Sequence, residues 1–80
     1  MEEVDGRMNR WPPIPLKYGS LGPEVMFLQS ALVLHGYSCR VNGIFAEETQ
    51  EKVKEFQMDH GLNPDGMILS HTFWQELLDL

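Results

Sequence analysis

Asn42-Gly43-Ile44-Phe45-Ala46-Glu47-Glu48-Thr49 and Asp65-Gly66-Met67-Ile68-Leu69-Ser70-His71-Thr72 are one phrase in two versions. Each sets an Asn or Asp before a Gly, two apolar residues after it, and a Thr six positions past the Gly. An Asx-Gly pair makes a tight turn with positive φ, and the Thr falls where a following helix has completed its first turn. The unit is therefore a turn and then a helix, used twice. A second shared phrase precedes each copy: Leu28-Gln29 runs on to His35-Gly36-Tyr37, and Phe56-Gln57 to His60-Gly61-Leu62. The chain reads as a short internal duplication.

Working outward, Pro23 is the favoured first residue of a helix, with Gly22 or Ser20 near the cap and Glu24 complementing the dipole. That helix runs to about His35 and stops at Gly36, with Val25, Leu28 and Leu32 as its inward stripe and Gln29 beside it. Met26, Phe27, Ala31, Val33 and Leu34 make its other side apolar as well. A single small domain cannot bury both sides of one helix, so Met26, Phe27, Val33 and Leu34 are expected to contact a protein partner. The second helix starts after Phe45, carries Thr49, Val53 and Phe56 inward, and ends near His60-Gly61. The third starts around Ser70 and presents Phe73, Trp74, Leu77 and Leu78. Leu28, Leu32, Val53, Phe56, Phe73 and Leu77 form the expected core. His35 and His60 precede helix-ending glycines, where a His serves the last carbonyls. Residues 39–43 are expected to be briefly extended, without a sheet.

The set Gly19, Gly22-Pro23, Val25, Leu28-Gln29, Leu32, Gly36-Tyr37, Asn42-Gly43, Phe45, Thr49, Val53, Phe56-Gln57, Gly61-Leu62, Asp65-Gly66, Thr72, Trp74 and Leu77 stands in unbroken order with ordinary spacing. In that order Leu16 to Leu77 resembles the peptidoglycan-binding domain of the "peptidoglycan-binding domain 1" type, a three-helix module appended to cell-wall hydrolases, spore-cortex enzymes and phage endolysins. The resemblance implies an all-α, compact three-helix bundle over residues 16–80. It also implies a ligand groove near the turn phrases, and carried over residue by residue it points to Tyr37, Asn42, Phe45, Thr49, Asp65 and Trp74. Ala46 and Leu69 depart from the family pattern, which has Gly before the second and third helices.

Residues 1–15 differ in character. Met1-Glu2-Glu3-Val4-Asp5-Gly6 is polar, and Trp11-Pro12-Pro13-Ile14-Pro15 is extended by its prolines, giving an N-terminal arm or linker. Folding back over the first helix, Trp11 to Ile14 would compete for the surface otherwise left to a partner.

With 12 acidic and 6 basic side chains the net charge is −6, which excludes the basic stripe that nucleic acid needs. An uncharged glycan or a short peptide stem would not be repelled. Eighty residues with one cysteine allow one domain and no internal disulfide. His35, His60 and His71 are scattered outside any metal-ligand spacing, and neither a metal nor a cofactor is implied. No run approaches the roughly 18 apolar residues of a membrane span, and the N-terminus has no signal-peptide pattern. Neighbouring Glu47 and Glu48 diverge by about 100° on a helix and do not make a glycosidase pair. Cys39 has no His brought to it, so no catalytic set is present.

Two functions fit. One is a non-catalytic cell-wall binding module that targets a tethered hydrolase, located at the wall or outside the cell. The other is a protein-interaction module on the same scaffold, docking in a phage particle or another multi-subunit assembly, in the virion or cytoplasm.

Overall fold

A computed structural model describes residues 15–78. The arm motif Trp11-Pro12-Pro13-Ile14 lies outside them, as does everything before it and residues 79–80. Three helices follow one another: α1 (Pro23–Leu34), α2 (Glu47–Asp59) and α3 (His71–Leu78). Among the described residues there is no β-strand.

α1 starts on Pro23 with Gly22 as its N-cap, whose carbonyl accepts from the Val25 and Met26 amides. It stops because Gly36 turns left-handed at φ 94° and closes the end. The Gly36 amide donates to Val33 O and the Tyr37 amide to Leu32 O, satisfying carbonyls the helix leaves open. α2 ends the same way: Gly61 has φ 72°, its amide donates to Met58 O, and the Leu62 amide to Gln57 O. The predicted positions of both helix ends thus follow from a reversal that only glycine adopts without strain.

The core is built on Val25, Leu28 and Leu32 from α1, Val53 and Phe56 from α2, and Phe73, Trp74 and Leu77 from α3. Leu16, Phe45 and Ile68 complete it from the connections. Phe56 is fully buried at its centre, with Phe73 at 5.1 Å on one side, the His60 ring stacked at 4.0 Å, and His35 and Tyr37 edge-on at 5.3 and 5.9 Å. Each such fully buried large side chain contributes about 1.5–3 kcal/mol through burial. The two C-capping histidines also tie the helix ends together: the His35 ring meets the Leu77 carbonyl, and His60 Nδ1 lies 3.3 Å from Glu76 Oε1.

One expectation changes. Ala31, assigned to the outer side of α1, is buried, because α1 packs against both α2 and α3 and its inward arc is correspondingly wide. Residues 39–43 form no strand. Leu16 pairs with Ile68 and Leu21 with Ile44 as isolated antiparallel bridges, so the segment before α1 fastens both turn phrases. Met26, Phe27, Val33 and Leu34 are exposed by 45–71%. On a helix they flank Ser30 over an arc of roughly 120°. Phe27 also leans its ring on Trp74, centroids 5.8 Å apart.

Candidate functional site

Each Asx-Gly turn is gripped by a buried glutamine from the preceding helix. Gln29 Oε1 accepts from the amides of Asn42 (2.8 Å) and Gly43 (2.9 Å). Its Nε2 reaches Asn42 Oδ1, Ile44 O and Thr49 Oγ1 at 3.0, 3.0 and 2.9 Å, so two N–H bonds serve three acceptors. Asn42 Oδ1 also accepts from the Ile44 amide at 3.0 Å, the local bond by which Asx stabilises its own turn. In the second turn Gln57 Oε1 accepts from the Gly66 amide at 2.9 Å, and Nε2 donates to Asp65 Oδ1 (3.1 Å) and Met67 O (3.0 Å). Asp65 Oδ1 accepts in turn from the Met67 amide at 2.9 Å.

Both glycines sit left-handed, Gly43 at φ 77° and Gly66 at φ 75°. Their surroundings differ. A Cβ on Gly43 would stand 3.1 Å from Met26 Cγ and 3.3 Å from the Gly22 carbonyl oxygen, whereas on Gly66 it would meet only the flexible stems of Gln50 and Lys54. The first turn is also bound to the segment before α1 by Gly22 N to Gly43 O (3.0 Å) and Phe45 N to Ser20 O (3.0 Å).

The two threonines part company. Thr49 is buried and bonded to Gln29, while Thr72 is exposed. Beside the second turn this leaves a groove of about 280 Å³, to which Asn63, Asp65, Ser70 and Thr72 bring polar atoms and Met67 and Phe73 an apolar side. Ala46, in the place where a glycine was expected, is the α2 N-cap with φ −116° and ψ −158°, an extended conformation open to any residue, so its Cβ costs nothing. Leu69, in the other such place, is 53% exposed and lines the groove.

The six residues singled out in the sequence do not converge. Phe45 and Trp74 are core side chains with 1% and 0% of their surface exposed, and Thr49 is held inside by Gln29. Packing accounts for Trp74, which has Phe27 and Phe73 against it, although its indole N–H has no acceptor among the described residues. Tyr37 stands at the end of α2, its hydroxyl donating to Asp59 Oδ2 at 2.5 Å. Burial first, and that bond second, push its phenol up to about 12. Asn42 is exposed but its Oδ1 is engaged twice. Asp65 alone of the six lines the groove. Burial pushes the Cys39 thiol up, which keeps it protonated and a poor nucleophile. Gln57, Asn63, Ser70 and Thr72 were not among the site residues expected from the sequence; the paired glutamines were visible in the shared Leu-Gln and Phe-Gln phrases, but nothing local separates Thr72 from Thr49.

Residues 22–72 match the model of the peptidoglycan binding domain family, well over half of the chain. The chain belongs to this family. Its fold is similar to that of the SleB N-terminal domain, with a TM-score of 0.77 at 31% identity over 82% of this chain and 90% of that one. A peptidoglycan-binding protein from Clostridioides difficile gives a TM-score of 0.76 at 33% identity over 80% of this chain and 40% of that one. A Burkholderia AP3 phage endolysin gives 0.77 at 31% identity over 81% of this chain and 25% of its own. The present chain thus corresponds to a minor part of the last two proteins. The family is one of binding domains associated with the cell wall. No helix of the described residues is long and apolar enough to cross a membrane.

Proposed function

We propose that this chain is a non-catalytic module that holds an associated hydrolase on peptidoglycan, with the groove beside the Asp65-Gly66 turn as its contact. The observation that carries this is the exposed polar set of that groove, presented on a rigid turn in a chain of the peptidoglycan binding domain family. Such a module acts by concentration: a tethered enzyme held at the wall meets its substrate at a higher effective concentration, without any chemistry in the module. Of the six residues first singled out, Asp65 meets the ligand, and Asn42 and Tyr37 lie outside the groove. Phe45, Thr49 and Trp74 act by holding the scaffold. The place of work is the wall, reached as part of a secreted or lysis-released protein. The internal duplication read in the sequence accounts for why two like turns exist on so short a chain.

A second reading has its own support in α1. Met26, Phe27, Val33 and Leu34 form an apolar stripe beside Ser30, and Glu24 is the only charged residue of that helix. Such a stripe suits docking on another protein of an assembly, a phage particle included. Sedimentation with purified peptidoglycan sacculi separates the readings. Wall binding expects the chain to pellet with sacculi and the Phe27→Glu variant to pellet equally. A chain that stays in solution with sacculi, and whose Phe27→Glu variant becomes markedly more soluble, favours docking.

A further inference from the structure

We infer that the two turns have divided their work: the second takes a neutral N-acetylated sugar of the glycan strand rather than the stem peptide, and the first takes no ligand. This rests on the peptidoglycan reading above and adds the ligand's chemistry to it. At the first turn Gln29, Thr49 and the Oδ1 atom of Asn42 are used internally. The Gln29 amide serves three acceptors and two donors, Thr49 Oγ1 is one of those acceptors, and Asn42 Oδ1 is engaged by both Gln29 and the Ile44 amide. A ligand there would have to displace bonds that hold the turn.

At the second turn the threonine position is left open. Thr72 is exposed on the first turn of α3 and lines the groove with Ser70. Asp65 spends one carboxylate oxygen, Oδ1, on Gln57 and Met67, and Oδ2 makes no hydrogen bond among the described residues. The groove therefore offers a charged acceptor, two hydroxyls and the Asn63 amide, next to the apolar surface of Met67. Sugar hydroxyls and an acetamido N–H are donors that a carboxylate accepts strongly, and an acetyl methyl and the C–H face of a pyranose match an apolar wall.

Charge decides against the peptide. Among the described side chains no Lys, Arg or His lines the groove, and Lys54, whose stem lies against Gly66, is not among its walls. A stem peptide attached to the glycan carries more carboxylates than ammonium groups, and its carboxylates would meet Asp65 on a molecule of net charge −6 with no cation opposite them among the described groove side chains. A hexosamine bearing an acetyl group has no charge to desolvate.

The test uses the whole 80-residue chain labelled with nitrogen-15. It is titrated in one arm with chitotetraose and in the other with a free stem pentapeptide, alongside sedimentation with sacculi. The sugar is expected to shift the amides of Asn63, Gly66, Met67 and Thr72 saturably and to leave those of Asn42, Gly43 and Thr49 in place, with the peptide silent. Thr72→Val is expected to weaken the sugar roughly fivefold, as loss of one hydrogen bond does, while melting like the wild type. Shifts produced by the peptide and not by the sugar, or sugar shifts centred on Asn42, would overturn the inference. So would retention on sacculi with no response to the sugar, in which case wall binding stands and the glycan assignment falls. No retention on sacculi and no shift removes both.

Discussion

The Asn42-Gly43 and Asp65-Gly66 turns share a construction and differ in closure. Both hang from a buried glutamine, both use the Asx side chain to cap their own amide, and both carry a left-handed glycine. The first is bonded through its backbone to the segment before α1 and has its threonine turned inward. The second, fastened to the rest of the chain through the Leu16–Ile68 bridge, keeps its threonine and half its carboxylate free. The turns themselves both reach the surface; the difference lies in the threonine that follows, buried after the first turn and exposed after the second. The lesson is that a repeated motif can keep its hydrogen-bond logic while one copy turns a polar side chain inward and the other leaves it outside.

The largest test of this contrast is to remove each glutamine. Gln29→Ala removes the acceptor of the Asn42 and Gly43 amides and one partner of the Thr49 hydroxyl and should cost about 3 kcal/mol, against about 2 kcal/mol for Gln57→Ala. Urea denaturation of both variants measures the difference, and equal losses would mean that the turns are equally structural. Next come the glycines. Alanine is strained at both, but at Gly43 it also crowds the Gly22 carbonyl oxygen at 3.3 Å, while at Gly66 it displaces only flexible side chains. Gly43→Ala is expected to cost about 2 kcal/mol and Gly66→Ala about 1 kcal/mol. A reversed order would show that the Lys54 and Gln50 stems are less yielding than the backbone bridge.

Smaller still is the threonine pair. Thr49→Val should lose about 1 kcal/mol with its bond to Gln29, and Thr72→Val should stay within about 0.5 kcal/mol of the wild type. Thermal melts of the two variants side by side sharpen the contrast most directly, since the substitution is the same. The smallest effect lies off both turns, at Tyr37. Its folded phenol is raised to about 12 from an ordinary value of about 10. Folding therefore favours the neutral form, its contribution is complete below about pH 10, and it is lost as pH climbs from there toward 12. Tyr37→Phe should flatten that alkaline decline in stability and, with the bond to Asp59 gone, slightly lower the neutral plateau.

Much of this molecule is legible in its residues alone, because the deciding physics is local. Pro23 opens a helix, Gly36 and Gly61 end two of them by reversing the backbone, and the Asx-Gly pairs make turns whatever surrounds them. The apolar spacing of Leu28, Leu32, Val53, Phe56, Phe73 and Leu77 identifies six members of the core for the same reason. The site is a different matter. Phe45, Thr49 and Trp74 carry the residue types of a binding surface and are buried, since aromatic and threonine side chains serve a core equally well. Thr49 and Thr72 stand at one spacing from their glycines, and only the packing of α2 and α3 turns one inward and the other outward. Hydrogen bonds across 13 to 20 residues, as between Gln29 and the turn it holds, depend on where three helices meet. The local sequence determined the turns and helices; the tertiary structure alone decided which threonine is held inside and which is left exposed, because satisfaction of a side chain is settled by partners that come from elsewhere in the chain.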